Sequence, residues 1–164
     1  MARADFVALV ATYEAPLARY LSRLVGDPEL ARDLTQETFL SAYRALPATD
    51  VACPRGWLFR IATNHALGVL RRRKLVRWVP FSRLAPRDEP PAGEEAGDDV
   101  ETGAAIAAAL AGIAPRDRAC LLLHAAGFSS AEIAAQLGCS VGAARTRLSR
   151  ARETFRRRYH RDDA

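Results

Sequence analysis

Near its C-terminal end the chain places Arg145, Arg147, Arg150, Arg152, Arg156, Arg157, Arg158 and Arg161 against a single intervening acid, Glu153. Every cation in the run is an arginine. A guanidinium offers a planar fork of donors that matches the acceptor edge of guanine or a phosphate in two parallel hydrogen bonds, which an ammonium cannot do. The chemistry these residues can do is therefore recognition of a polyanion rather than bond making.

The segment that carries them reads as two helices and a turn. Ser129 stands three residues before Glu132, a capping box that satisfies the free amides at a helix start. Ile133, Ala134 and Leu137 supply a buried stripe, and Gly138 can take the positive φ that ends the helix. Ser140 can then accept from the first amides of the next helix. In that helix Val141, Ala144, Leu148, Ala151 and Phe155 recur at helical spacing and are expected in the core. Arg145, Thr146, Ser149 and Arg150 fall on the opposite face, with Gly142 and Arg147 beside them. This is the pattern of a helix-turn-helix whose second helix reads the major groove of DNA. A plain helical hairpin with a solvated charged face is the blander reading, but a run made only of arginine and nearly free of acids favours DNA contact.

The whole chain is consistent with a polyanionic partner. Its 164 residues carry a formal charge of +5, with a pI near 9.6, and 49% are hydrophobic, enough for helical cores. No run is apolar and long enough to span a bilayer, and the first residues lack a signal-peptide pattern, so a cytoplasmic protein is expected. Cys53, Cys120 and Cys139 are scattered without a Cys-x-x-Cys pair, so neither a disulfide framework nor a zinc finger is expected. Cys120 and His124 share a helix face but have no further ligands in reach, which is ordinary core filling. No metal and no cofactor is expected.

The chain divides into two helical halves. Phe6, Leu9, Val10 and Tyr13, then Leu17, Tyr20, Leu21 and Leu24, give helical periodicity on either side of Pro16, which is expected to start a second helix. Asp27-Pro28 caps a helix running to Leu46, and Trp57 to Leu70 forms a further long helix ending in Arg71-Arg72-Arg73-Lys74. From Pro80 to Glu101 prolines, glycines and acids replace any apolar period, so this stretch is expected to be a flexible linker. Beyond it, helices over 104–113 and 116–126 precede the helix-turn-helix. The expected fold is all-α, two small helical domains, 1–79 and 102–164, joined by the acidic linker 80–101.

These residues resemble the bacterial RNA polymerase sigma factors of the sigma-70 family, in the extracytoplasmic-function (ECF) group. The N-terminal half is similar to sigma region 2 through Asp27 to Leu46, Trp57 to Asn64 and the basic Arg71-Arg72-Arg73. The C-terminal half is similar to region 4 through Ser140-Val141-Gly142 and Arg145 to Arg152. The resemblance implies a subunit that binds core RNA polymerase and directs promoter-specific initiation. In the family, region 2 binds the clamp helices of the largest polymerase subunit and opens the −10 element, and region 4 binds the flap of the second-largest subunit and the −35 element. By motif, Asp33, Gln36 and Glu37 would dock polymerase. Asn64, Trp57, Arg55, Arg71, Arg72 and Arg73 would lie along the −10 strand, with Asn64 hydrogen-bonding an unpaired base and the basic run holding the backbone. Arg145, Thr146, Ser149, Arg150, Gly142 and Arg147 would meet the −35 duplex. The linker and small size also suggest an anti-sigma factor that holds the halves together.

Three departures from the family pattern stand out. Ala143 replaces a common threonine at the start of the recognition helix, and Gly68 replaces a better helix former, which costs up to about 1 kcal/mol. The loop Pro47 to Gly56 differs from the common form, and this loop helps select the −10 base. The competing readings are a stand-alone helix-turn-helix regulator, which leaves the N-terminal match without a purpose, and a recombinase-type enzyme. No serine, tyrosine or carboxylate constellation supports the latter: Tyr159, between Arg158 and His160, lies near the chain's end. No catalytic residue is expected.

Overall fold

A computed structural model of the chain describes residues 3–45, 53–77 and 100–162. Among the described residues there are seven helices and no strand: α1 (Arg3–Val25), α2 (Pro28–Ala45), α3 (Pro54–Arg77), α4 (Val100–Ala111), α5 (Pro115–Ala125), α6 (Ser130–Leu137) and α7 (Val141–Asp162). Most of the expected linker and the −10 loop from 46 to 52 lie outside the described residues. α4 begins at Val100, two residues inside the stretch expected to be linker.

α1 corrects one expectation. Pro16 does not open a new helix but sits inside a continuous one. A proline there forfeits one hydrogen bond and crowds the preceding turn, costing about 3 kcal/mol. Leu9 on one side and Leu17, Tyr20, Leu21 and Leu24 on the other are all buried against α2 and α3. At roughly 1.5–3 kcal/mol for each large side chain removed from water, that packing outweighs the proline.

The joint between α1 and α2 is local chemistry. Gly26 takes φ +70° and donates to the Ser22 carbonyl at 2.9 Å. Asp27 then accepts from the Leu30 amide at 3.0 Å, and Pro28 occupies the first helical position, where its missing N–H costs nothing. α2 buries Ala31, Leu34, Thr35, Thr38 and Ala42. The threonine hydroxyls stay satisfied by donating one turn back, Thr35 to Ala31 and Thr38 to Leu34.

The two halves share one core. Leu21 and Leu24 of α1, Phe59 and Ala62 of α3, Leu123 of α5, and Phe128 and Ile133 at α6 belong to a single buried cluster. Phe59 is its centre, 5.1 Å from the Tyr20 ring and 5.2 Å from the Phe128 ring. Tyr20 closes the polar end of this contact by a 2.7 Å hydrogen bond with the Thr63 hydroxyl. Small residues, among them Ala109, Ala119, Ala134, Ala144 and Ala151, let α4 to α7 approach closely.

Candidate nucleic-acid interface

The turn is built as its residues dictate. Ser129 accepts from the Glu132 amide while the Glu132 carboxylate accepts from the Ser129 amide at 2.7 Å, a complete capping box. Gly138 ends α6 with φ +61°. Ser140 accepts from the Ala143 amide at 3.1 Å and so starts α7. Ala144, Leu148 and Ala151 are buried as expected. Val141 is not: it is 37% exposed, because as the first residue of α7 it hangs beyond the edge of the packed hairpin.

α7 presents three faces besides its buried one. Gly142, Thr146 and Ser149 point away from the core, all exposed, with the Thr146 hydroxyl donating to the Gly142 carbonyl at 3.0 Å. On one flank Arg145, Ser149, Arg152 and Arg156 border a groove with His124 and Ser130. There Arg152 donates to His124 Nε2 at 2.6 Å, which fixes that nitrogen as the acceptor. On the other flank Arg147 and Arg150 converge on Asp117 of α5. Arg147 Nη1 lies 2.9 Å from Oδ1, and Arg150 Nε lies 2.7 Å from Oδ2. Burial alone would raise the Asp117 carboxyl, but hydrogen bonds from Arg150 and Arg147, and their charges, outweigh it and hold the group below its ordinary value. Spacing along the chain gave no hint of Asp117.

This second flank faces the other half of the molecule. Asn64, Gly68, Arg71 and Lys74 of α3 line one cleft of about 840 Å³ together with Arg116, Asp117, Arg147 and Arg150. Two of the six residues expected along the −10 strand, Asn64 and Arg71, and two of the six expected at the −35 duplex, Arg147 and Arg150, thus share a single cavity. Arg55 is also drawn into the contact between halves, its guanidinium 4.4 Å from the Phe128 ring centre and hydrogen-bonded to the Ala126 carbonyl. Arg73 pairs with Asp27 at 3.3 Å, whereas Arg71 and Arg72 are exposed. Trp57 and Ile61 are half-buried around Leu9 and Leu58. Arg118, unremarked in the sequence, is buried and donates to Leu24 across the halves at 2.8 Å and to the Ala111 and Ile113 carbonyls.

The α2 face is different in kind. Asp33, Gln36 and Glu37 are exposed at helical spacing, followed by Leu40 at 49% and Tyr43 at 51% exposure. Among the described residues α2 packs chiefly on α1 and α3. Cys120 is fully buried, its thiol pushed up to about 11 mainly by burial, while His124 is exposed. Among the described residues no group of His, Cys, Asp and Glu is arranged to hold a metal ion. Nor is any helix long and apolar enough to cross a membrane.

A three-helix bundle followed by a capped helix-turn-helix places the chain in the class of all-helical proteins built on a helix-turn-helix. The sequence profile of Sigma-70 region 2 matches residues 9–76, and that of Sigma-70, region 4 matches residues 103–155. The chain belongs to the sigma-70 family, in its ECF group. It is 36% identical over 153 residues to the ECF RNA polymerase sigma factor SigE of Mycolicibacterium smegmatis, covering 90% of this chain and 59% of that protein. To SigL of Mycobacterium tuberculosis it is 33% identical over 144 residues, covering 86% and 81%. It spans a smaller share, 47%, of SigG from Mycobacterium tuberculosis. Among solved structures, the sigma factor RpoE in complex with the anti-sigma factor NepR from Bartonella quintana superposes with TM-score 0.75 at 25% identity, covering 94% of this chain and 96% of that one. CnrH in complex with the cytosolic domain of CnrY gives TM-score 0.66 at 28% identity, covering 94% and 86%.

Proposed function

We propose that this chain is a promoter-specificity subunit of RNA polymerase that acts in the cytoplasm and performs no bond chemistry of its own. The observation that carries the reading is the pairing, on one chain, of an uncovered polar α2 face with a capped helix-turn-helix. Asp33, Gln36 and Glu37 dock the polymerase clamp. Asn64 and the basic end of α3 take the −10 strand once it is open, and the outer face of α7 takes the −35 duplex while its domain meets the flap.

The shared cleft adds a requirement. The −10 and −35 elements lie about two helical turns apart, roughly 70 Å along the duplex. Asn64 and Arg150 line one cavity, so both cannot engage a promoter until the halves separate. Polymerase and promoter supply the binding energy for that opening, and a protein of the anti-sigma type would oppose it by holding the halves together. The solved relatives RpoE and CnrH, seen with NepR and CnrY, support such a partner.

Run-off transcription with purified core polymerase on genomic fragments tests the reading. New start sites that depend on the added chain are expected. No polymerase binding and no new start site, with retained duplex binding, would favour a stand-alone regulator instead.

A further inference from the structure

Asp117 sits in the first turn of α5 with only 7% of its side chain exposed, and gives both oxygens to α7. Arg150 holds it side-on: Nε donates to Oδ2 at 2.7 Å and Nη2 to Oδ1 at 3.2 Å. Arg147 Nη1 donates to Oδ1 at 2.9 Å. This grip consumes the inner edge of the Arg150 guanidinium. Its outer edge, the Nη1 hydrogens and the remaining Nη2 hydrogen, is not used by Asp117, and the Arg150 side chain is 59% exposed.

We propose that Asp117 is a positioning residue of the recognition helix, fixing Arg150 so that its outer edge meets a planar pair of acceptors on the upstream duplex, a guanine edge or a phosphate. The inference deepens the sigma-type reading and rests on it. A carboxylate against a basic helix can instead compete with DNA and release its arginines when the duplex arrives. The geometry opposes that role. Among the described residues, the hydrogen bonds to the Asp117 carboxylate come from Arg147 and Arg150, so their release would strand a buried charge. A held arginine has, moreover, already lost its rotamer freedom on folding and loses less on binding. Its fixed direction also prevents it from following a misplaced acceptor, which is how a positioned group discriminates.

The test uses the full chain assembled with core polymerase. Duplexes are selected from a pool randomised over the upstream element, and the winner and its single-base variants are titrated across a salt range. The proteins are wild type, Asp117→Asn, Arg150→Ala and the double variant. If the acceptor is guanine, Asp117→Asn should lower discrimination at one base pair by about tenfold. If it is phosphate, affinity should fall alike on all duplexes and the salt slope should shrink by about one. In either case Asp117→Asn should change binding by less than about twofold when Arg150 is already alanine. Thermal melting of the same variants separates fold from recognition, since a merely structural aspartate would lower melting and leave the discrimination profile and salt slope intact. That result, or tighter binding by Asp117→Asn, overturns the inference alone. A wild-type holoenzyme without any upstream preference overturns the sigma-type reading and this inference with it.

Discussion

The outer face of α2 and the cleft between α3 and α7 are the two surfaces to which the proposed function assigns partners, yet the fold treats them oppositely. Asp33, Gln36 and Glu37 are exposed among the described residues. Asn64, Arg71, Arg147 and Arg150 line one cleft. The difference follows from what lies beneath each surface. Behind the cleft, Phe59, Phe128 and Arg118 tie the halves through a common core, whereas α2 packs chiefly on α1 and α3. On the proposed function, docking to polymerase would need no rearrangement, and reading a promoter would.

The largest effect should come from the tie itself. Phe128→Ala is expected to destabilise the chain by about 3–5 kcal/mol, the usual cost of emptying a buried phenylalanine site, measured by urea unfolding. Because Phe128 is 3% exposed and touches both Phe59 and Arg55, part of that loss should appear as separate unfolding of the two halves. Unchanged stability would mean that the halves do not share a core.

On the free face the expectation is reversed. Glu37→Lys should lower affinity for core polymerase by roughly tenfold while leaving the unfolding midpoint nearly unchanged, as is usual for an exposed site. A large loss of stability, with polymerase binding intact, would exchange the roles assigned to the two surfaces.

Smaller effects grade the construction of each half. Ser129→Ala removes the cap of α6 and should cost about 1 kcal/mol, with weaker upstream-duplex binding as α7 loses its support. Gly68→Ala should stabilise α3 by about 0.5–1 kcal/mol, because the added methyl would meet only the Arg72 side chain at 3.8 Å. Destabilisation there would mean that the cleft is tighter than described.

Acid should act on both halves in the same direction. Asp27 is held below its ordinary value first by the Leu30 amide and then by Arg73, and Asp117 by its two arginines despite burial. Each carboxyl binds protons more weakly folded than unfolded, so its contribution is present above the unfolded value near 3.9 and is lost as pH falls through the lower folded one. A stability profile from pH 7 to pH 2 should fall below about pH 4, and Asp117→Asn should flatten that limb.

How much of this was legible depends on distance along the chain. The helix-turn-helix could be read because its instructions are local: Ser129 and Glu132 cap each other, Gly138 takes a left-handed turn, and Ser140 starts the next helix. The Asp27 cap was legible for the same reason. Pro16 was misread because its local signal is a helix start, and only packing on both sides, invisible in a short window, overrides it. Val141 was misplaced because helical spacing does not say where the packed length of a helix begins. Asp117 escaped notice because its partners lie 30 and 33 residues away. Arg55, expected along the −10 strand, stacks on Phe128 in the other half, a contact that no local window shows.

The central claim is that residues proposed to read DNA share one cleft in the free chain and must part on a promoter. The most direct measurement is the distance between spin labels at Leu75→Cys in α3 and Arg157→Cys in α7, both exposed positions, with Cys53 and Cys139 replaced. A single short distance is expected in the free chain, with no change in melting from the unlabelled protein, and a longer one in the holoenzyme on promoter DNA. The same short distance in the promoter-bound complex, with transcription active, would contradict the account.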